Sequence, residues 1–192
     1  IRSYYTTING VSLTVILKPT CTGPSHARNI GIRATIDNTD VYVIADADDE
    51  MLPTKVEKLV QMWDGQENVG IVCADYTTLN EQGYRTREYK PIYSWELLKR
   101  ECCIHSNSLI TKKALESVKE GDDYYCSKLR TCEDWDLELR ICEKLMCLHL
   151  AESLTTVRTH SQDSTHTVKS DVWNQNYAMV MQRLNERQAK GV

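Results

Sequence analysis

Apolar and polar positions fall into blocks along the chain, and each block predicts an element. Val11 to Leu17 is a β-rich run, followed by a turn-rich stretch from Lys18 to Pro24. Ser25 is placed to cap a short helix through Ala34, with Ala27, Ile30 and Ala34 on one side. Asp40 then introduces Val41-Tyr42-Val43-Ile44-Ala45, a continuous apolar run of the kind found in buried, often parallel, strands. It stops at Asp46-Ala47-Asp48-Asp49. Pro53 suits the first turn of a helix in which Val56, Leu59, Val60 and Trp63 share a face. Val69 to Ala74 predicts a second buried strand, and Asn80 to Gly83 a turn. Ile104 to Ile110 predicts a strand, and Thr111 the cap of a helix through Val118. Gly121 to Thr131 has loop composition. Glu133 to Met146 predicts a helix, with Leu137, Ile141 and Leu145 at i+4 steps. Leu148 to Ala151 and Leu154 to Arg158 read as short strands. Val172 to Arg187 reads as an amphipathic helix through Trp173, Tyr177, Val180 and Leu184.

Strands alternate with helices over the first half, which predicts an α/β fold with a mixed, mostly parallel sheet flanked by helices. No linker or repeat divides the chain, so residues 1–192 are expected to form one domain, 1–165 its core and 166–192 its C-terminal amphipathic helix. The balance of 41% hydrophobic and 26% charged residues is that of a globular domain. A net charge of −4 gives no basic excess to neutralise phosphates, which argues against a nucleic-acid partner. No apolar run approaches the ~20 residues needed to span a bilayer. The C-terminal helix carries Arg183, Arg187 and Lys190 but also Glu186, so peripheral membrane association stays open while packing is the expected role. Eight cysteines without a CxxC pair do not suit a zinc knuckle and read as small core residues kept reduced, as in a cytoplasm.

The candidate chemistry is acidic. Asp46, Asp48 and Asp49 crowd three carboxylates into four residues where an apolar strand ends. Such a cluster repels itself unless a cation relieves it, and a hard divalent ion sharing its coordination with substrate phosphates does so. Ligands gather at the carboxyl ends of strands in open α/β sheets. The competing reading is a solvated acidic turn. Glu133-Asp134-Trp135-Asp136 enters a helix, where the dipole alone favours carboxylates.

The segment ARNIGIRATIDNTDVYVIADADD, from Ala27 to Asp49, resembles the family 2 glycosyltransferases of the GT-A fold, with their ARN-x-G helix, short strand and DxD-type motif. CEDWDLELRI resembles their ED-x-x-L-x-x-R motif, and VRTHSQDST the R-x-H-x-x-x-S signature that closes many bacterial-type domains. The resemblance covers Val11 to Thr165. It implies a metal-dependent inverting transferase that moves a sugar from a nucleotide-diphosphate sugar to a hydroxyl acceptor: a glycan, a lipid-linked sugar or a protein. Asp46 would lie near the ribose, Asp48 and His160 would hold Mn²⁺ or Mg²⁺, and Arg28 would approach the nucleotide. Asp134 would be the base, and Glu133 would help position the acceptor or the loop. Trp135 divides evenly between acceptor pocket and core, and Arg158 between the diphosphate and a strand edge. Ser161 to Ser170 would be a lid. The family's N-terminal βαβ nucleotide-binding unit is not found, so the fold is expected to be N-terminally abbreviated. A catalytically incomplete glycan- or partner-binding module and a metal-dependent nucleotidyltransferase are the rival readings.

Overall fold

The structure is a computed structural model that describes residues 2–8, 10–88, 92–159 and 170–191. Strands β1 (Arg2–Ile8) and β2 (Val11–Leu17) form an antiparallel hairpin that is a sheet by itself. Gly10 in its turn has φ 81°, a conformation that L side chains disfavour. Helix α1 (Pro24–Thr35) follows, with Pro24 at the position where a missing N–H costs nothing. Gly23, not Ser25, is its N-cap; the Ser25 hydroxyl instead donates to Leu129 O at 2.9 Å. The buried face is Ser25, Asn29 and Ile32, rotated from the expected Ala27, Ile30 and Ala34, because buried polar contacts rather than alanines hold this helix.

The main sheet has six strands in the order β3-β7-β5-β8-β4, with β6 also pairing β5. They are β3 (Val41–Val43), β4 (Glu50–Met51), β5 (Val69–Asn80), β6 (Arg85–Glu88), β7 (Leu109–Thr111) and β8 (Met146–Thr159). It is the expected mixed sheet flanked by helices, consistent with a GT-A-like α/β fold. Its balance differs from the expectation: only β5 and β8 pair in parallel, and the other described pairings are antiparallel. Helix–strand alternation misleads here because β3 lies against β7, late in the chain, and is a half-buried edge rather than a buried parallel strand. Leu148–Ala151 and Leu154–Arg158 belong to one strand, β8, whose register against β5 shifts around Ala74 and Asp75.

Helix α2 (Lys55–Trp63) begins after Thr54, with Pro53 ahead of it. It buries Leu59 and the stem of Lys55, whose ammonium donates to Thr155 Oγ1 at 2.6 Å, while Val56 stays exposed. Helix α3 (Trp95–Leu98) is one turn, capped by Ser94. Helix α4 (Lys112–Ser117) is capped as expected, since Thr111 Oγ1 accepts from Ala114 N at 3.1 Å. Helix α5 (Glu133–Cys142) packs against α6 (Ser170–Ala189) across a buried ionic network. Asp136, wholly buried, accepts from Arg140 Nε at 3.0 Å and from Arg183 Nε at 2.7 Å. Arg187 reaches Glu143 at 2.8 Å, and Val180 and Leu184 fill the space between. The C-terminal helix is thus part of the packed molecule. All eight cysteines are free thiols, with Cys73, Cys103 and Cys147 buried. Among the described residues no helix is long and apolar enough to cross a membrane.

Gly70 sets the distance between β5 and α5. A Cβ built there would lie 2.6 Å from Ile141 Cγ2 and 2.9 Å from Leu145 Cβ. Gly70→Ala is expected to lower unfolding free energy by about 1–3 kcal/mol through overpacking, read as a reduced urea midpoint at unchanged m-value.

Candidate active site

A cavity of about 1140 Å³ opens where the C-terminal end of β3 faces the first turn of α5. Of the residues singled out from the sequence, Arg28, Asp46, Asp48, Glu133 and Asp134 line it, as do Asp49, Trp135 and Arg158. His160 lies outside the described residues, as does most of the expected lid, 161–169.

Each side chain is brought there by a local feature. The chain leaves β3 and turns at 46–49, with Asp49 N donating to Asp46 O at 3.2 Å. The turn leaves Asp46 and Asp48 exposed and Asp49 half-buried. On the other side, Cys132 adopts a left-handed conformation, φ 60°, and starts α5 abruptly. Glu133 and Asp134 therefore stand in the first helical turn, where unpaired N–H groups favour negative charge. Trp135 N donates to Asp134 Oδ1 at 2.9 Å.

Arg28 on α1 joins the two acidic groups. Its Nη1 meets Glu133 Oε1 at 2.7 Å and its Nη2 meets Asp46 Oδ1 at 3.2 Å, while the guanidinium lies 5.4 Å from the centre of the Tyr125 ring. Its neighbour Asn29 is structural: Nδ2 donates to Tyr125 O at 2.8 Å, and Oδ1 accepts from Tyr124 N and Tyr125 N at 3.0 and 2.8 Å. Asp48 has no hydrogen bond or ion pair among the described residues. Trp135 is 3% exposed, with its indole N–H on Leu98 O at 2.7 Å, and it also contributes to the cavity wall, so it belongs to both the core and the pocket. Arg140 is structural as well; besides Asp136 it donates to Val118 O and Tyr124 O, both at 2.6 Å. Arg158 lines the cavity, pairs with Glu50, and its backbone N–H meets Asp49 Oδ1 at 3.3 Å.

Crowding of carboxylates in partly dry surroundings raises their proton affinity. Burial, then the charge of Asp134, pushes Glu133 up to about 7 against the pull of Arg28. Burial likewise pushes Asp49 up to about 6, against the Arg158 N–H and with Asp46 and Asp48 adding repulsion. Lys55 falls to about 8 by burial, opposed by the charge of Asp49.

The sequence reading missed much of the wall. Arg100, Glu101, His105, Arg130, Trp173 and Tyr177 also face the cavity. His105, which carries no motif, packs at 4.4 Å against the Tyr76 ring; His149, also without one, meets buried Asp75 at 3.0 Å away from the cavity. Only the apolar period of α6 pointed at Trp173 and Tyr177, and it pointed to packing.

As to metal binding, among the described residues no group of three or more His, Cys, Asp or Glu could hold an ion by itself. Asp48 offers an uncommitted carboxylate beside Asp46 and Asp49. That oxygen donor set suits a hard divalent ion whose remaining ligands come from a bound diphosphate.

A family model described as glycosyl transferase family 2 matches residues 1–119. The matched span contains Arg28, Asp46 and Asp48 and ends before Glu133 and Asp134. No curated protein matches the chain.

The raised Glu133 carboxyl makes stability depend on pH. Between its unperturbed value of 4.5 and about 7, the folded chain holds a proton that the unfolded chain releases. This contribution is therefore complete below 4.5 and is lost as pH rises through about 7. Glu133→Gln is expected to flatten that decline, measured by urea denaturation from pH 4.5 to 8 without metal; a slope equal to the parent's would contradict the assignment.

Proposed function

We propose that this chain, which belongs to glycosyl transferase family 2 and is therefore a glycosyltransferase, works as a metal-dependent inverting enzyme on a nucleotide-diphosphate sugar. The observation that carries the finer reading is the convergence of Asp46 and Asp48 with Glu133 and Asp134 on one cavity, although they lie far apart in the chain.

In this reading Asp134 is the general base. A sugar hydroxyl attacks weakly unless its proton leaves as the new bond forms, and a positioned carboxylate contributes roughly 10²–10⁴-fold. Asp134 suits the task because it faces the cavity and, among the described residues, has only the Trp135 N–H as a hydrogen-bond partner. Attack opposite the leaving group inverts the anomeric carbon, with no covalent enzyme intermediate. Asp48, with His160 as its expected companion, would hold Mn²⁺ or Mg²⁺, which when bound stabilises the charge of the departing diphosphate as a Lewis acid. Asp46 would meet the ribose. Arg28, held between Asp46 and Glu133, would orient both and present positive charge to the nucleotide. Glu133 would position the acceptor or the loop. Eight free thiols suit a reducing compartment, so a cytoplasmic setting fits.

Two variants test this. With Mn²⁺ present, a nucleoside diphosphate is expected to raise apparent stability by ~2.7 kcal/mol at a hundredfold excess over Kd. Asp48→Ala should remove that response, and chelation of the metal should do the same to the parent. Asp134→Asn should keep nucleotide binding while transfer from the donor falls at least roughly 10²-fold. Nucleotide binding without turnover in the parent would instead favour a glycan- or partner-binding module.

A further inference from the structure

Three aromatic rings run from beside the proposed base out into the cavity. Trp135 follows Asp134 directly and is buried. The Tyr177 ring on α6 lies 5.5 Å from it, and Trp173, one helical turn earlier, stacks on Tyr177 at 5.6 Å with an interplanar angle of 16°. Trp173 and Tyr177 both line the cavity, yet Trp173 is 40% exposed. Packing does not require an indole there. Helix α6 is already anchored by Val180 and Leu184, by Arg183 and Arg187, and by Asn176 Nδ2 on Thr131 Oγ1 at 2.9 Å.

We propose that Trp173 is the platform of an acceptor subsite that takes a pyranose sugar. A pyranose has a face of C–H groups and a rim of hydroxyls. The C–H face is weakly positive and apolar, so it settles on the negative face of an aromatic ring, and Tyr177 holds that ring flat from behind. The cavity that Trp173 lines carries both signs on its wall: Arg100 and Arg130, neither with an ion pair among the described residues, together with Glu101 and Asp134. A hydroxyl donates and accepts, so it satisfies both kinds of partner. A phosphate or a carboxylate acceptor would be repelled by half of them. This inference rests on the glycosyltransferase reading and narrows it: of glycan, lipid-linked sugar and protein acceptors, it selects those that present a sugar ring.

The test uses the full chain loaded with Mn²⁺ and a nucleoside diphosphate, and a panel of methyl pyranosides followed by saturation-transfer NMR. At least one pyranoside is expected to bind, with transfer strongest at the ring C–H protons of one face. Trp173→Ala should weaken it roughly tenfold or more, while Trp173→Phe, which keeps a flat ring, should stay near the parent. Circular dichroism checks that α6 remains helical in both. Binding by no pyranoside, or equal binding by parent and Trp173→Ala, would overturn the subsite. Nucleotide binding is read on the same samples. If nucleotide binds and pyranosides do not, the subsite is wrong and the donor reading stands; if pyranosides bind through Trp173 and no nucleoside diphosphate binds, the reverse holds.

Discussion

Carboxylates from two distant parts of the chain share one cavity, and Coulomb repulsion would drive them apart without a cation between them. Arg28 is that cation. It is largely buried, it cannot lose its proton under ordinary conditions, and its planar fork touches one acidic residue from each side. The turn after β3 and the start of α5 depend on this contact for their separation. Burial and, after it, the charge of Asp134 still raise the proton affinity of Glu133 against the pull of Arg28. Asp48, which has no hydrogen bond or ion pair among the described residues, adds a further carboxylate, and that is the kind of charge the proposed divalent ion would relieve.

The second organising element is the buried network around Asp136. A buried ion pair is seldom worth much compared with an apolar replacement, but removing one partner is costly, commonly about 3–5 kcal/mol. Here Asp136 is served by guanidinium groups from two helices, Arg140 on its own and Arg183 on α6. That arrangement fixes how α6 is rotated about its axis, which an apolar seam alone would leave loose. The rotation decides which residues of α6 reach the cavity.

Much of this was legible from residue order. The helices with strong local signals appear close to where they were expected, and Thr111 caps α4 as its position at the head of the expected helix implied, its hydroxyl accepting from Ala114 N while donating to Val69 O. The acidic turn and the Glu-Asp pair stood out because carboxylates so placed need an explanation. Other features were not legible, for reasons that are physical. Whether β3 pairs in parallel or antiparallel depends on a partner far along the chain, and its own apolar run carries no information about that choice. The amphipathic stripe of α6 marked Trp173 as core, because periodicity reports a face and not where that face runs out. Arg100, His105 and Arg130 sit in irregular segments that no period describes. Lys55 is buried although a lysine in a first turn reads as solvent-facing; its ammonium donates to the Thr155 hydroxyl and feels the charge of Asp49, neither of which its own sequence neighbourhood announces.

Adjacent residues of α1 divide two tasks. Asn29 grips the main chain at Tyr124 and Tyr125 through three hydrogen bonds, and Arg28 straddles the acidic groups one peptide earlier. The segment before α5 and the guanidinium in the cavity are consequently moored to the same turn of one helix, so a displacement of α1 reaches both.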